Sequence, residues 1–197
     1  MAQITSDVPI VEQATSRRTG TAWLAGGTLW LAAGLLHADG GWRFDTAAIV
    51  WIAADVLLAV GLLGLFVLRP HGSSRAGAVA LALALAGRVA FMAGEIFSII
   101  DGNDEGPLIP LAAMVTAVSM TVYGIVALRR DCVTRPAGWA FLAMGLYPFV
   151  TMFPVFAITG EPSAVLIAGW GVPAALVGVA TMPRASHRHA RSAGRGA

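Results

Sequence analysis

The chain has 197 residues, of which 57% are hydrophobic and only 12% are charged, and its formal net charge is +2. A soluble domain carries about 25% charged residues, so this composition favours an integral membrane protein over a soluble or nucleic-acid-binding domain. All 13 basic residues are arginine, which excludes a lysine Schiff base and a P-loop lysine. The single cysteine, Cys132, excludes an intramolecular disulfide and any multi-cysteine metal site.

Residues 1–20 are polar and lack the apolar core and cleavage site of a signal peptide, so we expect an uncleaved tail. Six long apolar segments follow, and they cover residues 21–38, 46–68, 77–100, 107–128, 137–158 and 163–182. Each is close to the ~20 residues that a helix needs to cross a bilayer, and the apolar runs are continuous, whereas barrel strands alternate. The sequence therefore predicts an all-α bundle of six transmembrane helices, residues 21–182, and a basic disordered tail, residues 183–197.

Charged residues in the loops predict the orientation of the bundle. One side carries nearly all the arginines: Arg17, Arg18, Arg69, Arg75, Arg129, Arg130, Arg135, Arg184, Arg188, Arg191 and Arg195. The other side carries Arg43 and the acids Asp39, Asp45, Asp101, Asp104, Glu105 and Glu161. Because arginine-rich loops stay in the cytoplasm, we expect both termini there and the chain in the plasma membrane.

Three ionisable residues, Asp55, Arg88 and Glu95, lie inside segments 2 and 3. From the helical rise, Asp55 is expected about 13 Å, Glu95 about 8 Å and Arg88 about 18 Å below the outer surface. Arg88 and Glu95 are nearly two turns apart and project from one face, which also carries Phe91. A charged group at membrane depth costs about 3 kcal/mol or more, so it pairs, lines a cavity or does chemistry.

Two interpretations of these residues are open. In the structural one, Asp55 and Arg88 form an ion pair between adjacent helices, Glu95 reaches headgroups or water, and the nearby aromatic residues face lipid or pack. In the functional one, Arg88 keeps one carboxyl group ionised while the other stays protonated, a division that acid–base chemistry needs. The functional interpretation assigns catalytic roles to Asp55, Glu95 and Arg88 and substrate contacts to Trp51, Phe91 and Tyr147. Other side chains expected at similar depths are His37, Thr116, Ser119, Tyr123 and Thr151.

Two polar regions outside the segments are similar to metal-binding sequences. The loop 101–106 (DGNDEG) matches the start of a calcium loop, but its twelfth position is Ala112 in place of the required glutamate. His187 and His189 lie in the basic tail, which we expect to associate with anionic headgroups. The sequence therefore predicts a solvated turn and a lipid-attracted tail, with neither a metal nor a cofactor.

Two stretches carry a resemblance to known membrane proteins: LRRDCVTRPAGWAFLAMG, which joins segments 4 and 5, and AGRVAFMAGE in segment 3. Through them the chain resembles small six-helix membrane proteins of actinobacteria, a group that implies no activity. It is also similar to integral-membrane terpene cyclases, compact helical bundles that protonate a polyprenyl group or its epoxide with buried acids. That resemblance implies acid roles for Asp55 and Glu95. The family usually has seven helices, and its early aromatic–acid motif is not reproduced here.

Three functions are compatible with these features. The first is a membrane enzyme that acts on a lipid-soluble isoprenoid substrate by acid-catalysed cyclisation, with aromatic faces to stabilise the cation. The second is a small proton-coupled transporter or exporter with Asp55 and Glu95 as its relay, and the third is a non-catalytic membrane subunit. The expected partners are membrane lipids, a lipophilic small molecule and a second copy of the chain, because six short helices enclose little space.

Overall fold

The computed structural model describes residues 10–38, 44–68, 74–101, 107–130, 133–160 and 163–183, and their regular structure is entirely helical. The helices are α1 (Ile10–Ala38), α2 (Phe44–Leu68), α3 (Arg75–Asp101), α4 (Leu108–Arg129), α5 (Arg135–Tyr147), a π-helical turn (Pro148–Met152), α6 (Phe153–Thr159), α7 (Ala164–Gly169) and α8 (Gly171–Thr181). Segment 5 thus consists of α5, the π-helical turn and α6, and segment 6 consists of α7 and α8. The prediction of an all-α chain is confirmed for these residues. The loop 101–106 beyond its first residue, Cys132 and the tail after Pro183 lie outside them.

Segments 2 to 6 are long and apolar enough to cross a membrane, with mean hydropathies of 1.9 or more. The chain is therefore built as a membrane protein. Helix α1 is less apolar because its middle carries tryptophan, glycine and threonine, among them Trp23, Thr28 and Trp30. It begins at Ile10 and not near residue 21, because the polar residues before the apolar segment, such as Gln13, are also helical.

The helices pack in a closed ring. Each of α1 to α4 contacts the next helix in the chain, and α8 packs against both α5 and α1. At the edge of the bundle where α1 begins and α2 ends, the Ser16 hydroxyl donates a hydrogen bond to the Thr181 carbonyl (2.8 Å). We call the half of the bundle next to this edge the lower half, and the opposite half the upper half. The first and last helices are therefore neighbours.

Glycines allow the backbones in this ring to approach closely. A methyl group at Gly27 of α1 would overlap the backbone of Gly171 and Ala175 in segment 6. A methyl group at Gly145 of α5 would likewise overlap the backbone of Thr121 in α4. Small residues are the usual means by which helices pack tightly in a bilayer, where lipid chains are as apolar as the side chains. The helix backbones at both positions therefore lie closer together than larger residues would allow.

The centre of the lower half is filled by large side chains, which we call the apolar plug. Its members are fully buried: Trp23, Leu58, Leu62, Met120, Tyr123 and Phe141. The Phe141 ring lies edge-on to Trp23 (centroids 6.1 Å apart) and to Tyr123 (4.9 Å). Edge-to-face packing is the favoured geometry for aromatic pairs. The plug closes the lower half of the ring and leaves the charged residues of α2 and α3 above it.

Candidate functional site

The buried ion pair between α2 and α3 is the centre of the candidate site. Arg88 Nη1 donates to Asp55 Oδ1 at 2.6 Å, a short charge-assisted hydrogen bond. The Asp55 side chain is 0% exposed and that of Arg88 is 4% exposed. The predicted contact between these two residues on adjacent helices is therefore confirmed. On α2, Asp55 lies about one helical turn above Leu58 of the apolar plug.

Aromatic rings from segments 1, 3 and 6 surround the Arg88 guanidinium. Its central carbon lies 4.3 Å from the centroid of Trp170, 5.4 Å from Phe91 and 5.5 Å from Trp30. A guanidinium is planar, delocalised and weakly hydrated, so ring faces stabilise it better than they would an ammonium group. Asp55 and the three rings together replace the water that the buried cation has lost.

Trp30 of α1 links this arrangement to α2. Its ring lies 6.1 Å from Trp51 and 5.4 Å from both Phe91 and Trp170. The ring of Trp51 in turn lies 5.8 Å from that of His37 near the upper end of α1. We call the whole set the charged–aromatic cluster: Trp30, Trp51, Asp55, Arg88, Phe91 and Trp170. Trp51 and Phe91 are buried in it and do not face lipid.

A proline in segment 5 helps to position Trp170. Pro148 has no N–H, so the carbonyl of Met144, four residues earlier, loses its regular helical partner. The indole Nε1 of Trp170 donates to that carbonyl at 3.0 Å. The helix passes through the π-helical turn at the same place, as expected where the regular ladder is interrupted. The proline thus provides the acceptor that orients the ring above Arg88.

A break in segment 6 provides two further acceptors. The backbone N–H of Trp170 donates to Ile167, three residues back (3.2 Å), and not to Leu166. The Tyr147 hydroxyl donates to the Leu166 carbonyl at 2.9 Å, and Trp30 Nε1 donates to the Ile167 carbonyl at 2.9 Å. Three aromatic donors therefore satisfy the carbonyls at the two helix interruptions. Tyr147, expected at the substrate, has its hydroxyl directed to this break.

Glu95 lies above the ion pair on the same face of α3. Its side chain is 4% exposed, so it is as deeply buried as Arg88. Seven residues of helix separate the two along the axis by about 10 Å. Glu95 is thus buried on the face of α3 that carries the cluster, but above the Asp55–Arg88 pair.

The remaining polar candidates occupy different places. Thr116, Ser119 and Tyr123 are buried on α4, but the Thr116 hydroxyl donates to the Ala112 carbonyl of its own helix (2.9 Å). Thr151 is half-buried within the π-helical turn. Trp30 and Trp170 were not among the predicted site residues. The sequence GWGVP around Trp170 was the available signal, because two glycines and a proline mark a helix interruption.

No metal site lies at this cluster in the described part of the chain. No group of three His, Cys, Asp or Glu side chains there could hold a metal ion. A groove of about 380 Å³ lies instead along the outer face of α1, lined by Thr21, Leu24, Ala25, Thr28, Leu29 and Ala32. It opens away from the ion pair, so we assign it no part in the site.

Comparison with known proteins adds no relative to this description. No family model matches the chain, and no curated protein or solved structure is found to be similar to it.

Proposed function

We propose that the protein is a six-span plasma-membrane protein with both termini in the cytoplasm. Five segments meet the length and composition of a membrane span, and α1 lies between α2 and α8 in the same ring. The exposed arginines Arg17 and Arg18 lie at the lower edge, as do Arg75 and Arg129. A reporter fused after residue 197 is expected to be active in the cytoplasm, and activity in the periplasm would contradict this orientation.

We further propose that the protein is an enzyme that protonates a lipid-soluble isoprenoid substrate and promotes its cyclisation. The observation that carries this proposal is the Asp55–Arg88 contact, because it pairs one of the two buried acids with the arginine. Asp55 is the counter-charge of Arg88, and Glu95, two turns above Arg88 on the same face, is the proton donor. Two acids in different environments are the usual arrangement for acid–base chemistry in one site.

The proposed reaction is an isomerisation that needs no cofactor. The O–H bond of Glu95 breaks and a C–H bond forms at an alkene carbon, or an O–H bond forms at an epoxide oxygen whose C–O bond opens. The resulting carbocation is attacked by an internal alkene, which closes a ring, and a proton leaves the cyclic cation to restore the acid. The aromatic face of Trp51, which is not one of the three rings around Arg88, stabilises the positive charge between these steps.

The test is incubation of membranes that contain the full chain with prenylated and epoxyprenylated compounds, followed by mass and NMR analysis. A cyclised product of unchanged mass is expected from the wild type, and none from Glu95→Gln. Glu95→Asp is the matched control, because it keeps the acid with a shorter reach and should retain part of the turnover. Full cyclase activity in Glu95→Gln would remove Glu95 from the mechanism.

A specific observation favours one second candidate, a proton-coupled transporter. Segments 5 and 6 are both interrupted, and the interruption at Trp170 adjoins the Arg88 guanidinium. Interrupted helices beside a buried charged site are typical of secondary transporters. In this case Glu95→Gln would abolish proton-coupled flux into liposomes, and no compound of altered structure would form. The product analysis therefore separates the two candidates.

A further inference from the structure

The seam between α4 and segment 5 is closed in the lower half of the bundle and open in the upper half. In the closed part, a methyl group at Gly124 of α4 would overlap the backbone of Leu142, and the backbones at Gly145 and Thr121 are equally close. Met114 lies seven residues before Thr121, nearly two turns, so it continues the same face of α4 upward. It is nevertheless 37% exposed. The two segments therefore separate above Gly145.

The opening lies at the height of the second buried acid. A methyl group at Gly94 of α3 would overlap the Ile109 side chain of α4, so α3 and α4 stay in contact at this height. Pro110 and Met114, on the side of α4 toward segment 5, are exposed there. Since Gly94 directly precedes Glu95, the uncovered part of α4 is level with the proposed proton donor.

Helix α6 is the part of segment 5 that stands away from α4. No residue between Phe153 and Thr159 is buried, and Phe156 is 47% exposed. Among the described residues, α6 makes extensive contact only with the π-helical turn that precedes it. Parts of a protein with few buried apolar contacts are the ones that open at the lowest free energy. Helix α6 is therefore held through its ends and not through its faces.

Segment 6 does not support α6 either, because α6 extends past the start of α7. The Tyr147 hydroxyl donates to the Leu166 carbonyl at 2.9 Å, so these residues lie within one side-chain length of each other. From Tyr147 the helices rise about 20 Å to Gly160, whereas from Leu166 the helix rises only about 5 Å to Ser163. No helix of segment 6 in the described part of the chain therefore lies beside the end of α6.

We propose that α6 is a lateral gate, hinged at the π-helical turn, through which a lipid-soluble molecule passes between the bilayer and the upper half of the bundle. Below the hinge the chain is fixed, because Trp170 Nε1 donates to the Met144 carbonyl at 3.0 Å. At the hinge Pro148 has no N–H, and prolines and π-helical turns are the usual places where helices bend. The structure shows the open position, and closure brings α6 onto Pro110 and Met114.

The walls of the opening select a lipid-soluble molecule. Neither residues 107–118 of α4 nor residues 148–159 of segment 5 include a charged side chain. The rings of Phe149 and Phe153 pack against each other across the hinge, with centroids 5.6 Å apart. An ion that entered here would lose its water without gaining a partner, whereas an apolar chain would not. That the molecule is an isoprenoid rests on the proposed function.

The experiment measures distances between two spin labels by pulsed EPR, on the full chain in liposomes with Cys132→Ser as the background. The upper pair is Met114→Cys with Phe156→Cys. The lower pair, Ile125→Cys with Trp139→Cys, is the matched control, because it joins the same two segments below the hinge at exposed positions. Two distance populations are expected for the upper pair and a single narrow one for the lower pair.

A reversible cross-link tests the passage itself. A bifunctional methanethiosulfonate reagent that joins the upper pair should abolish cyclisation of an added epoxyprenylated compound, and reduction should restore it. The same reagent on the lower pair should leave turnover unchanged.

The outcomes separate the gate from the proposed function. An upper-pair population as narrow as that of the lower pair would overturn the gate. A dipolar signal from Phe156→Cys alone would also overturn it, because it would place a second copy of the chain against α6. Cyclisation that the upper cross-link leaves unchanged would contradict the gate alone. Two upper-pair populations in a protein that forms no cyclised product would contradict the proposed function alone.

Discussion

The apolar plug and the charged–aromatic cluster occupy the two halves of the same ring, and both are built from buried aromatic residues. In the plug, Phe141 packs edge-on against Trp23 and Tyr123, and no ionised side chain takes part. In the cluster, the rings of Trp30 and Trp170 are arranged around a guanidinium. Ring packing alone is thus sufficient to close the bundle. Burying the charges of the upper half costs desolvation free energy, and packing does not require these charges. This is the physical reason for assigning function to the upper half.

The largest expected effect comes from removing the counter-charge in the cluster. Asp55→Asn leaves Arg88 buried with no carboxylate at Nη1, and breaking a buried ion pair costs about 3–5 kcal/mol. We expect a marked fall in the yield of monodisperse protein and in its melting temperature, measured by size-exclusion chromatography and thermal unfolding in detergent.

A double variant is the control for this change. Asp55→Leu combined with Arg88→Met removes both charges and keeps comparable volume, so it should recover most of the stability, since apolar replacements of buried pairs are often neutral. If Asp55→Asn alone were as stable as the wild type, the ion pair would not organise the upper half.

The second effect concerns the plug. Phe141→Ala removes the ring that joins Trp23 and Tyr123, and a buried Phe→Ala change costs about 3 kcal/mol through lost contacts and the cavity left behind. We expect lower thermal stability but unchanged Trp51 and Trp170 indole signals in NMR spectra of the folded fraction. A shift of those signals as large as that caused by Asp55→Asn would show that the two halves do not behave as separate layers.

The smallest effect tests the link between the cluster and the helix interruption. Trp170→Phe keeps a ring above Arg88 but leaves the Met144 carbonyl without its indole donor, a loss of about 1 kcal/mol. Thermal unfolding should shift by a few degrees, and amide hydrogen exchange should accelerate around residues 145–152. The Trp139→Phe variant is the control, because that tryptophan is exposed on the same segment. Equal exchange in both variants would show that the indole does not stabilise the interruption.

The ion pair was predictable from the sequence, whereas most of its surroundings were not. Helical rise and the adjacency of consecutive helices were enough to bring Asp55 and Arg88 together. The contribution of Trp30 depends on α1 and the last helix being neighbours, which follows only from closure of the ring. Segment 1 was among the predicted spans, but its sequence did not indicate that Trp30 would be buried beside Arg88.

The hydrogen-bond partners at the helix interruptions were likewise not predictable from the sequence. Pro148 indicated that the Met144 carbonyl would need another donor, but the identity of that donor depends on how segments 5 and 6 face each other. At the break, the Trp170 N–H donates to the Ile167 carbonyl and not to that of Leu166, and this difference depends on local backbone geometry. The catalytic role of Glu95 stays a prediction, because residue type and depth alone do not define a reaction.

Closure of the ring also has a consequence for biogenesis. Among the helices that the structure describes, α1 is synthesised first, yet one of the helices packed against it, α8, is synthesised last. Until segment 6 has been inserted, Trp30 has no Ile167 carbonyl to bond and the tight approach at Gly27 has no partner surface. Packing of α8 against α1 therefore completes the bundle. Chains that stop before it would present an incomplete bundle to the membrane quality-control proteases.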